Sequence, residues 1–152
     1  MKSLRIYLDT SVFGGYFDEE FTEASRILFD EIKAGRFILV LSTTNLEELK
    51  LAPSKVRRLI QDIPAERIES ITLSDEIMVL RDAYIDAGVI GLTSLFDAEH
   101  IASATVANVD LIVSWNFKHI VNFEKIRGYH AINQLKGYHQ IPIHTPSEVI
   151  EL

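Results

Sequence analysis

Short apolar runs alternate along the chain with longer stretches whose apolar residues share one helical face. Leu4–Leu8 (LRIYL) and Phe37–Leu41 (FILVL) are continuous, apolar and closed by small polar residues, which predicts two buried strands. Asp110–Trp115 (DLIVSW) predicts a third. Gln140–His144 reads as a last strand tolerant of an edge position, because Pro142 has no N–H to donate to a neighbour. Ile68–Leu73 is ambiguous between a strand and an extended connection.

The helical segments fall between these runs. From Glu23 to Ala34 the pattern sets Ile27, Leu28 and Ile32 on one stripe, and Gly35 ends it. Ser42, Thr43 and Thr44 offer capping hydroxyls to NLEELK, Pro53 breaks that segment, and Ser54 opens a short helical stretch through Ile60. Ser74–Ala87, Ser94–Ala107 and Glu124–Lys136 predict three further helices, and Ser147–Leu152 a terminal turn. Buried strands alternating with amphipathic helices imply a parallel sheet covered on both faces. No repeat, linker or low-complexity segment divides the chain, so a single domain over 1–152 is expected.

Composition narrows the classes. Of 152 residues, 47% are hydrophobic and 24% charged, which is ordinary for a globular core and excludes a disordered chain. The absence of cysteine excludes a disulfide framework, a thiolate zinc site and a cysteine nucleophile. The N-terminal apolar run stops at Asp9, too short for a secretory signal. No apolar stretch approaches the roughly 20 residues that span a bilayer. A soluble, cytoplasmic protein without membrane contact is the expectation.

The net charge of −7 speaks against nucleic acid as partner, since phosphate binding draws on Lys and Arg. Its distribution weakens the objection: residues 1–114 carry 19 acidic and 11 basic side chains, whereas residues 115–152 carry 3 and 4. An acidic body is equally what keeps a cytosolic protein soluble, so charge alone decides nothing.

In an open α/β sheet the functional residues gather at the carboxyl ends of the parallel strands. Asp9, Thr10 and Ser11 stand there after the first strand, and Ser42 after the second, with Glu47 and Glu48 in the following helix. Ser114, Trp115 and Asn116 follow the third, and Asp97 lies in the first turn of the helix leading into it. Taken singly, each has a structural reading as a turn, cap or solvated residue. Together, Asp9, Glu48, Asp97 and Asn116 can converge from four segments. Clustered carboxylates raise one another's pKa unless a cation joins them, and hard oxygen ligands suit Mg²⁺ or Mn²⁺. Such ions, singly or as a pair about 4 Å apart, support phosphodiester hydrolysis.

Three blocks carry a resemblance to a known family: LDTSVF at Leu8–Phe13, LSTTNLEEL at Leu41–Leu49, and FDAEHIASATVANVDLIVSWNFKHI at Phe96–Ile120. In this order they resemble the PIN domain, and within it the VapC-type toxins and related stand-alone PIN proteins. Pattern and resemblance agree on a three-layer α/β/α sandwich with a parallel sheet of four to five strands. The resemblance implies a metal-dependent endoribonuclease using Mg²⁺ or Mn²⁺, with Asp9, Glu48 and Asp97 as metal ligands. Glu48 matches the family's second acid better than Glu47, since it keeps the offset from Ser42 and precedes Leu49. Asn116 stands where many members have a fourth Asp and would support the ion, removing one negative charge. Thr10, Ser11 and Ser114 match hydroxyls that orient ligands or phosphate. The resemblance further implies an RNA substrate, a small antitoxin partner and a homodimer.

His100 lies one turn beyond Asp97, either as an outer-shell or phosphate contact or as a packed core residue. Asp110 precedes its strand on the opposite side of the sheet and reads as structural. Lys118 and His119 either touch phosphate or sit in a solvated loop, and Phe13, Tyr16 and Phe17 either stack a base or belong to the core or a partner-binding groove. A rival enzyme class, phosphoryl transfer to an aspartate, is poorly matched, because Ser11 stands where the dehalogenase-like pattern has a second Asp. A catalytically weak PIN fold serving as an RNA- or protein-binding module is the non-enzymatic alternative.

Overall fold

The computed structural model describes residues 2–152. Five strands, β1 (Leu4–Leu8), β2 (Phe37–Ser42), β3 (Ile68–Ile71), β4 (Leu111–Val113) and β5 (Ile143–His144), form one sheet in the order β3-β2-β1-β4-β5. Every pairing is parallel. Around it lie α1 (Thr10–Gly15), α2 (Thr22–Lys33), α3 (Thr43–Lys50), α4 (Ser54–Gln61), α5 (Asp75–Asp86), α6 (Leu95–Val106), α7 (Phe123–Leu135) and α8 (Pro146–Val149).

The strands alternate between two cores, as the period of two requires. Ile6, Leu8, Leu39, Leu41, Leu111 and Val113 join the buried faces of α1, α2, α4 and α8. Tyr7, Val40, Ile112 and Ile143 join those of α5, α6 and α7. Both faces of the sheet are therefore covered, giving the three-layer α/β/α fold. On the inner face of α6, Ala98, Ala102 and Ala104 are fully buried, and their small side chains let α5 and the sheet approach closely. No helix among the described residues is long and apolar enough to cross a membrane.

Two expected strands prove shorter, and two stretches that the pattern left open take definite form. The ambiguous Ile68–Leu73 stretch supplies the edge strand β3, paired with β2 from Leu39↔Ile68 to Ser42↔Ile71. The Asp110–Trp115 run forms only a three-residue strand, because the Ser114 hydroxyl accepts the Asn116 N–H (2.8 Å) and turns the chain away from the ladder. The last strand shrinks to Ile143–His144, with Pro142 contributing its carbonyl to Ile112 N–H (2.9 Å) and nothing else to the ladder. Finally, the stretch after Asp9 is helix α1, hidden in the sequence by the Gly14-Gly15 pair.

The β2–α3 junction fixes the entrance to the site. Ser42 caps α3 in a reciprocal box: its hydroxyl accepts Asn45 N–H (3.1 Å), and Asn45 Oδ1 accepts Ser42 N–H (3.0 Å). The amide of buried Asn45 also donates to the Leu8 carbonyl (2.9 Å), tying the end of β1 to the start of α3. Loss of the cap and of a partner for that carbonyl should together cost about 2–4 kcal/mol. We expect Asn45→Ala to lower the urea midpoint accordingly.

Candidate active site

From β1 the chain steps to β2 and β3 on one side, then crosses to β4 and β5 on the other. The order reverses between β1 and β4, so a crevice opens at their carboxyl ends. The chain enters it at Asp9, whose N–H donates to the Val113 carbonyl at 3.1 Å.

Asp9 is 4% exposed. Its Oδ1 accepts the Ser11 hydroxyl (2.6 Å), and Ser11 Oγ in turn accepts the Trp115 N–H (3.0 Å), a chain that joins α1 to the segment after β4. Burial pushes the Asp9 carboxyl above the usual carboxylate range, and the charge of His100 and the hydroxyls of Ser11 and Ser114 offset this only in part.

Glu48 enters from α3. Its Oε1 accepts the Thr10 hydroxyl (2.7 Å) and lies 2.5 Å from His100 Nε2. Burial alone would raise its pKa, but the His100 hydrogen bond and charge and the Thr10 hydroxyl outweigh it and hold the carboxylate below its usual range. Glu47 points away, paired with Lys50 at the surface (3.0 Å).

His100 settles one open alternative by being both packed and polar. It is 1% exposed, so it lies behind the acids rather than at the surface. Its Nδ1 is 2.5 Å from Tyr7 Oη, which is itself 2.6 Å from Ser42 Oγ. Burial works against the imidazolium, yet the Glu48 hydrogen bond and the charges of Asp9, Glu48 and Asp97 hold its pKa above the ordinary value. Fields from three carboxylates thus meet on one ring.

Asp97, in the first turn of α6, is raised mainly by burial; His100 and His119 lower it and Glu48 raises it further. Asn116 Nδ2 donates to Asp97 Oδ1 (3.2 Å), and Asn116 Oδ1 accepts the N–H groups of His119 (2.9 Å) and Lys118 (3.2 Å). Asn116 therefore ties the segment after β4 to α6. Asp110 stands at the other end of the sheet, accepting the Arg5 N–H (2.7 Å), the structural role expected of it. Phe13 is fully buried, and Tyr16 and Phe17 are half-buried against each other, so these three are packing residues and not a stacking site.

Sequence reasoning missed Tyr7, Asn45 and Glu99. Buried Glu99 accepts the Thr44 hydroxyl (2.6 Å) and pairs with Arg81 (2.8 Å), fixing α3 and α5 to α6. The available signal was a tyrosine in an otherwise apolar strand and two adjacent polar residues in a helix of small ones.

As the side chains stand, no three His, Asp or Glu among the described residues form a group closed enough to hold a metal ion. The donor chemistry nonetheless suits a hard cation. Asp9 and Asp97 have no ion-pair partner among the described residues, and the His100 charge and the hydroxyls around Asp9 compensate its burial only in part. A buried carboxylate left so is a standing cost that a cation would relieve.

No family model matches the chain, and no curated protein matches its sequence. Among solved structures it is similar to a chain of VapBC2 from Rickettsia felis, a complex solved bound to a DNA fragment from their promoter. The TM-score is 0.58 and the identity 11%, over 93% of this chain and 98% of that one. At that identity the likeness is one of fold, and it supports the three-layer PIN-like architecture.

The raised Asp9 pKa has a consequence for stability. Because the folded-state value exceeds the unfolded one, ionising Asp9 costs more in the native state, and stability falls as pH rises through the carboxylate range. Asn cannot ionise. We expect Asp9→Asn to melt about 2–4 °C higher than the parent at neutral pH for each kcal/mol relieved, with the gap closing below the unfolded Asp pKa. Melting curves of both proteins across pH check this.

Proposed function

We propose that this chain is a ribonuclease of the PIN type, dependent on Mg²⁺ or Mn²⁺ and acting as the toxin of a toxin–antitoxin pair. The observation that carries the reading is the only partly compensated burial of Asp9 at the switch point, with Glu48 bonded to Thr10 of the same turn and Asp97 tied to Asn116 after β4. Such an arrangement is costly unless it has a cationic ligand. The fold likeness to a chain of a VapBC2 complex supports the toxin assignment and a small protein partner.

In this reading Asp9, Glu48 and Asp97 would hold the ion. Glu48 Oε1 is engaged by Thr10 and His100, which leaves Oε2 for it. The ion supplies positive charge to a phosphodiester and acidity to water. The chain's own residues do the orienting. Ser11 aims Asp9, Thr10 and His100 aim Glu48, and Asn116 aims Asp97. Ser114 sets the turn that brings Asn116 there. A homodimer and a cytoplasmic setting belong to the same proposal.

One observation favours a second reading. His100, with its pKa held above the ordinary value, pairs with Glu48, and whenever it is protonated the cluster is partly compensated without metal. A catalytically weak binding module would look like this. Calorimetric titration with Mn²⁺ separates the two, since a module of that kind takes up no metal at millimolar concentration.

For the enzyme, RNA cleavage should require Mg²⁺ or Mn²⁺, stop with a chelator and fall by about 10²-fold or more in both Asp9→Asn and Asp97→Asn. Undiminished cleavage by both variants would end the proposal.

A further inference from the structure

The chain has eight phenylalanines, and the packing treats them unequally. Phe13, Phe29 and Phe37 are fully buried, and Phe17 and Phe21 are half-covered. Phe96 (53% exposed), Phe117 (52%) and Phe123 (73%) instead stand open, Phe123 beneath the Arg127 guanidinium and the other two next in sequence to residues of the candidate site. Phe96 adjoins Asp97 and Phe117 adjoins Asn116, and those two site residues are hydrogen-bonded to each other.

Phe117 also rests on a rigid foundation. Trp115 stacks on Phe21 with centroids 4.3 Å apart and planes 22° from parallel. The Phe117 ring lies 6.3 Å from both, as the outermost member of the cluster. Trp115 is pinned three ways: its N–H bonds to Ser11 (3.0 Å), its indole N–H bonds to Ser25 (2.9 Å), and its ring fills the space a side chain at Gly15 would need. An exposed aromatic ring on such a support is already held in place, so it binds at little entropic cost.

We infer that Phe117, with Phe96 beside Asp97, is a base-stacking platform that delivers an unpaired nucleobase to the acidic site. This deepens the ribonuclease reading and rests on it. The charge of the molecule favours this mode of capture. Glu20, Glu23 and Glu151 line the cavity of about 330 Å³ beside Phe21 and Trp115, a poor setting for phosphate. A base offers a neutral π-face, and stacking is indifferent to which base it is. Lys118, exposed and next to Phe117, stands ready for the adjoining phosphate. A paired base has both faces covered, so the platform selects single strands.

The test measures binding apart from cleavage. Anisotropy of a labelled oligoadenylate of about ten nucleotides is followed in chelator, alone and annealed to its complement. The parent should bind the single strand and not the duplex. Phe117→Ala should weaken single-strand binding about tenfold or more, as loss of one stacked base would, Phe117→Tyr should retain it, and Phe117→Leu, apolar but without a π-face, should stay weak. Circular dichroism of each variant excludes unfolding as the cause. Parent-like binding by Phe117→Ala, equal affinity for duplex, or no binding by the parent would overturn the inference. Single-strand binding that depends on Phe117 in a protein that cleaves nothing would leave the platform standing and fail the ribonuclease reading.

Discussion

The structure depends on one electrostatic constraint: a carboxylate must be kept buried at the end of the central strand. Asp9 follows β1 directly, in the middle of the sheet, where water is largely excluded. Much of the nearby architecture serves to make this tolerable. Ser11 donates to it, the position of Ser11 is read by the Trp115 backbone, and His100 contributes charge from beneath. None of these neutralises Asp9 outright. The remaining cost is set against the stability of the two cores on either side.

The opposite end of the same sheet shows the contrast. There Arg5 on β1 forms a bidentate pair with Glu69 on β3, donates to the carbonyls of Ala107 and Asn108, and gives its N–H to Asp110. Acidic groups at the amino end are matched by Arg5, whereas at the carboxyl end Asp9 and Asp97 have hydrogen-bond partners but no ion-pair partner among the described residues. The division follows from strand direction in a parallel sheet, which puts every connection able to carry chemistry at one rim.

Much of this was legible in the chain itself. Continuous apolar runs between capped amphipathic segments were enough for the layers and for parallel pairing; Asp9 and Asn116 stood out because they follow such runs, Asp97 because it opens a helix, and Glu48 over Glu47 through the family resemblance. What escaped was of two kinds. Helix α1 was masked because Gly14 and Gly15 depress local propensity, while tertiary packing of Val12 and Phe13 decides the outcome. The polar scaffold of Tyr7, Asn45, Glu99 and Arg81 was hidden because it is made of contacts between residues 18 to 93 positions apart or of short local boxes. Periodicity carries no information about such pairs. His100 illustrates the limit: its place near Asp97 was readable, but its embrace of Glu48 depends on how α3 and α6 lie against each other.

One small feature reaches further than its size suggests. A methyl group added at Gly15 would sit 2.7 Å from the Trp115 ring. Residue 15 therefore cannot be enlarged while the Trp115 ring stays where it is, so a glycine with no chemistry of its own helps fix the start of the segment that carries Asn116.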